Sequence, residues 1–146
     1  MDHHVLRITR QTVTTTHSRA TIQEVCETMV AAGVGAVVVL DDGRLVGIIS
    51  ERDIVGRVVV PKKDLATTRV ADVMTREVRT ASSAATTETA MEIMDEGGFR
   101  HLPLLDASGR VVGVVSMRDI LRDRVDELDR TSESLVDYFA ADGPGG

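Results

Sequence analysis

Gly47-Ile48-Ile49-Ser50-Glu51-Arg52-Asp53-Ile54 returns 66 residues later as Gly113-Val114-Val115-Ser116-Met117-Arg118-Asp119-Ile120. From Gly43 to Ile54, eight of twelve positions match their counterparts, which composition bias does not produce. Upstream the offset is 65. Thr21, Glu27, Met29, Gly33, Leu40 and Asp41 fall on Thr86, Glu92, Met94, Gly98, Leu105 and Asp106, and Val13, Thr15, Ser18 and Ala20 recur as Val78, Thr80, Ser83 and Ala85. One residue is inserted in a turn, and the chain is two copies of one unit.

The periodicity of each copy predicts β-α-β-β-α, an α/β (α+β) fold. Ile22, Val25, Cys26, Met29 and Val30 recur at helical spacing behind Thr21 and Glu24, a capping box that satisfies amides at the helix start. Gly33 ends the helix. Residues 36–40 and 45–49 are β-branched runs joined by Asp41-Asp42-Gly43-Arg44, a hairpin turn. Ser50 opens a second helix carrying Ile54, Val55 and Val58. The second copy predicts a helix over 86–97, strands over 101–105 and 110–115, and a helix after Ser116 through Leu128. The run Thr14, Thr15 and Thr16 reads as a strand leading in, and residues 70–74 as a short helical turn. A unit of about 60 residues buries too little surface to be secure alone, so the copies must pack together. The organisation is a first repeat at 5–60, a connector at 61–69, a second repeat at 70–128, and a polar tail at 129–146 whose end is disordered.

The 146 residues are 42% hydrophobic, 27% charged and only 2% aromatic, so the core is aliphatic and stacking on nucleobases by several rings is excluded. A net charge of −6 opposes general attraction to phosphate backbones or anionic lipid, which makes nucleic acid an unfavoured partner. Cys26 is the single cysteine, so an intrachain disulfide and a cysteine-rich zinc site are both excluded, in keeping with a reducing cytoplasm. No apolar stretch reaches the length of a membrane span, and the start lacks the order of a signal peptide. His3 and His4 fall in a terminus expected to fray, and no histidines have metal-site spacing.

The duplicated Gly-apolar-apolar-Ser-x-Arg-Asp-Ile motif, with Arg100-His101-Leu102-Pro103-Leu104-Leu105-Asp106 and Val70-Ala71-Asp72-Val73-Met74-Thr75, resembles a tandem pair of CBS domains, the cystathionine-β-synthase-type regulatory module. The resemblance covers residues 5 to 128 and is that of a stand-alone pair. It implies a sensor rather than an enzyme: two clefts between the repeats that bind adenosine-containing ligands (AMP, ADP, ATP or S-adenosylmethionine), no obligatory cofactor, and a homodimer whose shape an effector protein reads. Carried over by position, Asp53 and Asp119 would accept from a ribose, and Ser50 and Ser116 would approach ribose or phosphate. Thr80 and its counterpart Thr15 would sit by base and sugar. Arg100 and His101, with Pro103 beside them, would face phosphates, as would Arg52 and Arg118. The first repeat has Gly35, Ala36 and Val38 where the second has Arg100, His101 and Pro103, which favours the cleft of Ser116 and Asp119.

Each feature also has a plainer reading. Ser50 with Asp53 and Ser116 with Asp119 are good helix caps without any ligand. Cys26 lies on an apolar stripe and reads as a buried, inert thiol. The alternative function is a ligand-free structural or interaction module. For the homodimer, Ile22, Val25, Met29, Ala90, Met91 and Met94 offer helical apolar surface to divide between core and interface.

Overall fold

The computed structural model describes residues 4–9 and 12–141, with side chains through residue 133. The first repeat contains β1 (Thr15–Thr16), α1 (Ile22–Ala32), β2 (Ala36–Asp41), β3 (Arg44–Ser50) and α2 (Glu51–Ile54), the last continued by a π-helical turn at Val55–Val59. After the connector comes α3 (Val70–Val73), then β4 (Ala81–Ser82), α4 (Thr87–Gly97), β5 (His101–Leu105), β6 (Val111–Ser116) and α5 (Met117–Ala141). Each repeat holds one three-stranded sheet, in which the short first strand pairs parallel to the second and the second antiparallel to the third. The predicted β-α-β-β-α order is therefore present twice.

Local chemistry accounts for the boundaries. The Thr21 hydroxyl accepts from the Glu24 amide while the Glu24 carboxylate accepts from the Thr21 amide, closing the box. Two further amides at the start of α1 are satisfied by the connector: Ile22 and Gln23 donate to the carbonyls of Thr68 and Leu65, at 3.0 Å each. Gly33 and Gly98 end α1 and α4 in the left-handed region. Between β2 and β3, Asp42 and Gly43 both have positive φ, at 51° and 77°, the two-residue turn that matches the twist of a hairpin.

Two apolar cores form, and each borrows from the other repeat. The core of the first repeat contains Ile22, Val25, Val37, Val39 and Ile49, together with Val70, Val73 and Met74 from the turn that leads into the second. The core of the second contains Ala90, Met94, Leu102, Leu104, Val115 and Ile120, together with Val5 from the 3-10 turn at Val5–Ile8 that leads into the first. Matching hydrogen bonds fix the exchange: the Val5 amide donates to Ala85, and Val70, its counterpart, donates to Ala20. Burying each such side chain contributes about 1.5–3 kcal/mol, so neither repeat is complete without its neighbour's lead-in.

Several expectations change. The chain start is not frayed at residues 4–9, because His4 bridges to Thr86 and Val5 is fully buried; His3 lies outside the described residues. The segment expected as a tail from 129 is helical to Ala141, since α5 continues well past Leu128. The last five residues, and the side chains of Leu135, Val136, Tyr138 and Phe139, lie outside the described residues. Ile22, Val25, Met29, Ala90 and Met94 are buried core and leave no apolar surface to divide with an interface, and Met91 is partly buried against that core. Cys26 is half-buried, and burial, aided by the charge of Glu27, pushes its thiol above the usual range. Among the described residues no helix is long and apolar enough to cross a membrane.

Candidate functional site

The exchange of lead-in turns makes the clefts. To travel from a turn in one repeat to the strand of the other, the chain must cross between them, once at residues 12–14 and again at 75–79. Each crossing segment faces the Ser-x-x-Asp helix start of the opposite repeat. The larger cleft, about 1040 Å³, is lined by Thr12, Val13 and Thr14 on one side and Ser116, Met117, Arg118 and Asp119 on the other. The smaller, about 340 Å³, is lined by Thr75, Glu77, Val78 and Arg79 opposite Ser50, Glu51, Arg52 and Asp53. Gly35, Glu51, Arg100 and His101 belong to the walls of both.

Of the residues singled out from sequence, Ser116, Arg118, Asp119, Arg100 and His101 meet in the larger cleft, and Ser50, Arg52 and Asp53 join Arg100 and His101 in the smaller. Thr15, Thr80 and Pro103 are not among the lining residues. Thr15 is exposed on β1 opposite Val38, Thr80 directly precedes β4, and Pro103 is buried within β5 opposite Val114. Sequence reasoning missed Thr12, Thr14 and Glu51. Thr14 opens the run Thr14 to Thr16 read as a strand, which begins only at Thr15, and Thr12 precedes that run. Glu51 carries no repeat signal because Met117 is its counterpart.

The helix starts have engaged most of their own donors. The Glu51 amide donates to the Gly35 carbonyl at 3.0 Å and, symmetrically, the Met117 amide to Arg100 at 2.9 Å. The Asp53 and Asp119 amides donate to Ser50 Oγ and Ser116 Oγ at 3.3 and 3.0 Å. The capping reading of both motifs is thus correct, and among the described residues an anion at either helix start meets one open amide, that of Arg52 or Arg118, rather than a full turn of them.

The two aspartates differ in what else they do. Asp53 Oδ2 accepts from the Ser50 amide at 3.0 Å and from Ser50 Oγ at 3.1 Å; its Oδ1 accepts from Thr75 Oγ1 at 3.3 Å and lies 3.9 Å from Arg57 Nη1. Arg57 in turn donates to the carbonyls of Val73 and Met74, so this cluster staples the second crossing segment shut. Asp119 Oδ2 accepts from the Ser116 amide at 3.1 Å, and among the described residues no donor reaches its Oδ1. A carboxylate oxygen facing an open cleft is an acceptor awaiting a donor.

Charge separates the clefts in the same direction. Arg100, Arg118 and Arg122 outnumber Glu51 and Asp119 in the larger cleft, whereas Arg52, Arg79 and Arg100 are balanced by Glu51, Asp53 and Glu77 in the smaller. Arg52 is partly engaged, donating to the Gly98 carbonyl at 3.5 Å. Burial pulls the His101 imidazole below the usual histidine value; Glu51 and Asp119 oppose the shift and Arg100 adds to it.

A family model described as CBS domain matches the chain twice, over residues 5–60 and 70–126. An uncharacterized 17.7 kDa protein of Acidianus ambivalens is 37% identical over 107 residues, 73% of this chain and 63% of that protein. The crystal structure of a CBS-domain containing protein from Agrobacterium tumefaciens aligns with a TM-score of 0.75 and 36% identity, covering 82% of this chain and 95% of that one. The CBS domain pair of protein MJ0100, in complex with 5′-methylthioadenosine and S-adenosyl-L-methionine, aligns with a TM-score of 0.73 and 29% identity, covering 81% of this chain and 96% of that one. The chain spans between 17% and 63% of the lengths of the first curated relatives it matches.

Proposed function

The chain belongs to the CBS-domain family, as a tandem pair of that regulatory module, and from that premise we propose that it is a non-enzymatic sensor of adenosine-containing ligands, with the cleft of Ser116 and Asp119 as its principal site. The observation that carries this reading is the open Oδ1 of Asp119, facing a cleft of about 1040 Å³. A ribose diol donates to such a carboxylate, and Arg100, Arg118 and Arg122 favour a phosphate chain beside it. A related CBS domain pair holds two adenosyl compounds, which supports the same ligand class here. AMP, ADP, ATP and S-adenosylmethionine are the candidates, and the protein works in the cytoplasm by presenting a ligand-dependent shape to an effector protein.

Thermal unfolding tests the reading. A ligand at about a hundred times its dissociation constant adds ~2.7 kcal/mol to the folded state, which for a chain of this size raises Tm by about 5–10 °C. AMP, ADP, ATP and S-adenosylmethionine are compared with guanosine nucleotides. No shift with any adenosyl compound at millimolar concentration establishes the alternative, a ligand-free structural or interaction module in which Asp53 and Asp119 serve only as caps, a role both already fill.

The homodimer rests on a different surface from the one the sequence offered. Val55 and Val59 on the π-helical turn, and Leu121, Val125 and Leu128 on α5, are each more than half exposed. Val55 and Val59 are the repeat counterparts of Leu121 and Val125, so the pair presents the same stripe twice. A two-fold axis through a second copy would cover both stripes with one kind of contact. Sedimentation equilibrium without nucleotide is expected to give the mass of two chains, and Val125→Asp with Leu128→Asp the mass of one. A single-chain mass for the parent protein rejects the constitutive dimer.

A further inference from the structure

The four residues common to both clefts form a partition with one cation to share. Gly35 and Arg100 occupy equivalent positions of the two repeats, and their carbonyls hold the first amides of α2 and α5. The Glu51 carboxylate and the His101 ring close over Gly35, where an added Cβ would lie 3.3 Å from Glu51 Oε1 and 3.6 Å from His101 Cε1. Gly35 brings no side chain, so Arg100 has no twin across the pseudo-two-fold. Arg100 is exposed, and among the described residues its guanidinium makes no hydrogen bond or ion pair, so nothing reserves it for either cleft.

We propose that the partition makes the clefts antagonistic toward anionic ligands: a phosphate bound in one recruits Arg100 and leaves the other facing the Glu51 carboxylate with one cation fewer, Arg118 and Arg122 alone in the larger or Arg52 and Arg79 alone in the smaller. This rests on the adenosyl-ligand reading above. By linkage the penalty is the same whichever cleft fills first. A chain with one ligand bound is therefore the dominant state over a wide concentration range, and two-ligand occupancy reports a high-concentration regime.

Titration calorimetry of the full chain with AMP, and with uncharged adenosine as contrast, tests this. Asp119→Ala combined with Arg118→Glu disables the larger cleft and leaves the smaller to be measured alone, and Asp53→Ala combined with Arg52→Glu leaves the larger; Asn replaces Ala in each pair if loss of a cap lowers the folded fraction. The second AMP is expected to bind the parent protein at least fivefold more weakly than AMP binds the same cleft in the single-cleft variant. In Arg100→Gln that difference shrinks below twofold, and with adenosine it is absent in every form. Two AMP sites whose constants equal those of the variants overturn the antagonism and leave the ligand reading intact. So does a smaller cleft that binds no AMP when the larger is disabled. Absence of binding by AMP, adenosine, ADP, ATP and S-adenosylmethionine alike from the parent protein overturns the ligand reading itself.

Discussion

Met74→Ala is expected to destabilise the protein by about 2–5 kcal/mol, the range for emptying a buried methionine site. Met74 belongs to the second repeat in sequence and to the core of the first in space, at 5% exposure. It also fills the space above a glycine of β3. A Cβ on Gly47 would lie 2.5 Å from Met74 Sδ and 3.0 Å from the Thr75 carbonyl oxygen. That carbonyl accepts the Ile48 amide across an isolated bridge, so it has little freedom to retreat. Gly47→Ala alone is therefore an overpacking change of about 1–3 kcal/mol. In the double variant the added methyl enters space that Met74 has vacated, and the combined cost falls below the sum by about 0.5–3 kcal/mol. Urea denaturation of the four proteins measures the cycle. Strict additivity would show that Met74 does not sit against β3, and the exchange of lead-in turns would fall with it.

Asp119→Ala is expected to weaken adenosyl-ligand binding by about 1.5–3 kcal/mol, the value of charge-assisted hydrogen bonds to a carboxylate, or roughly ten- to 150-fold. Asp53→Ala should cost less binding, because Thr75 and Arg57 already take up the oxygen a ribose would need. The order reverses for folding stability. Asp119→Ala removes one capping contact, whereas Asp53→Ala also unfastens Thr75 and deprives Arg57 of its carboxylate, so it melts at the lower temperature. Calorimetric binding and thermal melts of the two variants check both orders. An equal or larger binding loss at Asp53 would make the smaller cleft the principal site.

The sequence by itself determined what is local. A repeat with a fixed offset, capping residues at Thr21 and Ser50, and glycines where the backbone needs positive φ are written in neighbouring residues, and their effects reach only a few positions. The duplicated element order and the aliphatic cores were legible for that reason. Tertiary structure alone decided where the lead-in turns go. The apolar character of Val5, Val70, Val73 and Met74 demands burial, but it is equally satisfied in either repeat. Because each turn is seated in the opposite copy, the clefts join segments of different repeats: residues 12–14 with Asp119, and 75–79 with Asp53. Matching positions within one repeat does not reveal this, and so Thr12, Thr14 and Glu51 were not singled out as cleft residues, and Thr15 and Thr80 lie outside the cleft linings. The length of α5 was hidden for a related reason. Beyond Leu128 the apolar stripe fades into charges that read in sequence as a solvated tail, while the helix is anchored upstream by the tertiary ion pair of Arg124 with Glu88. The inequality of the aspartates is likewise tertiary, since identical Ser-x-x-Asp motifs receive Thr75 and Arg57 at one cleft and an open oxygen at the other.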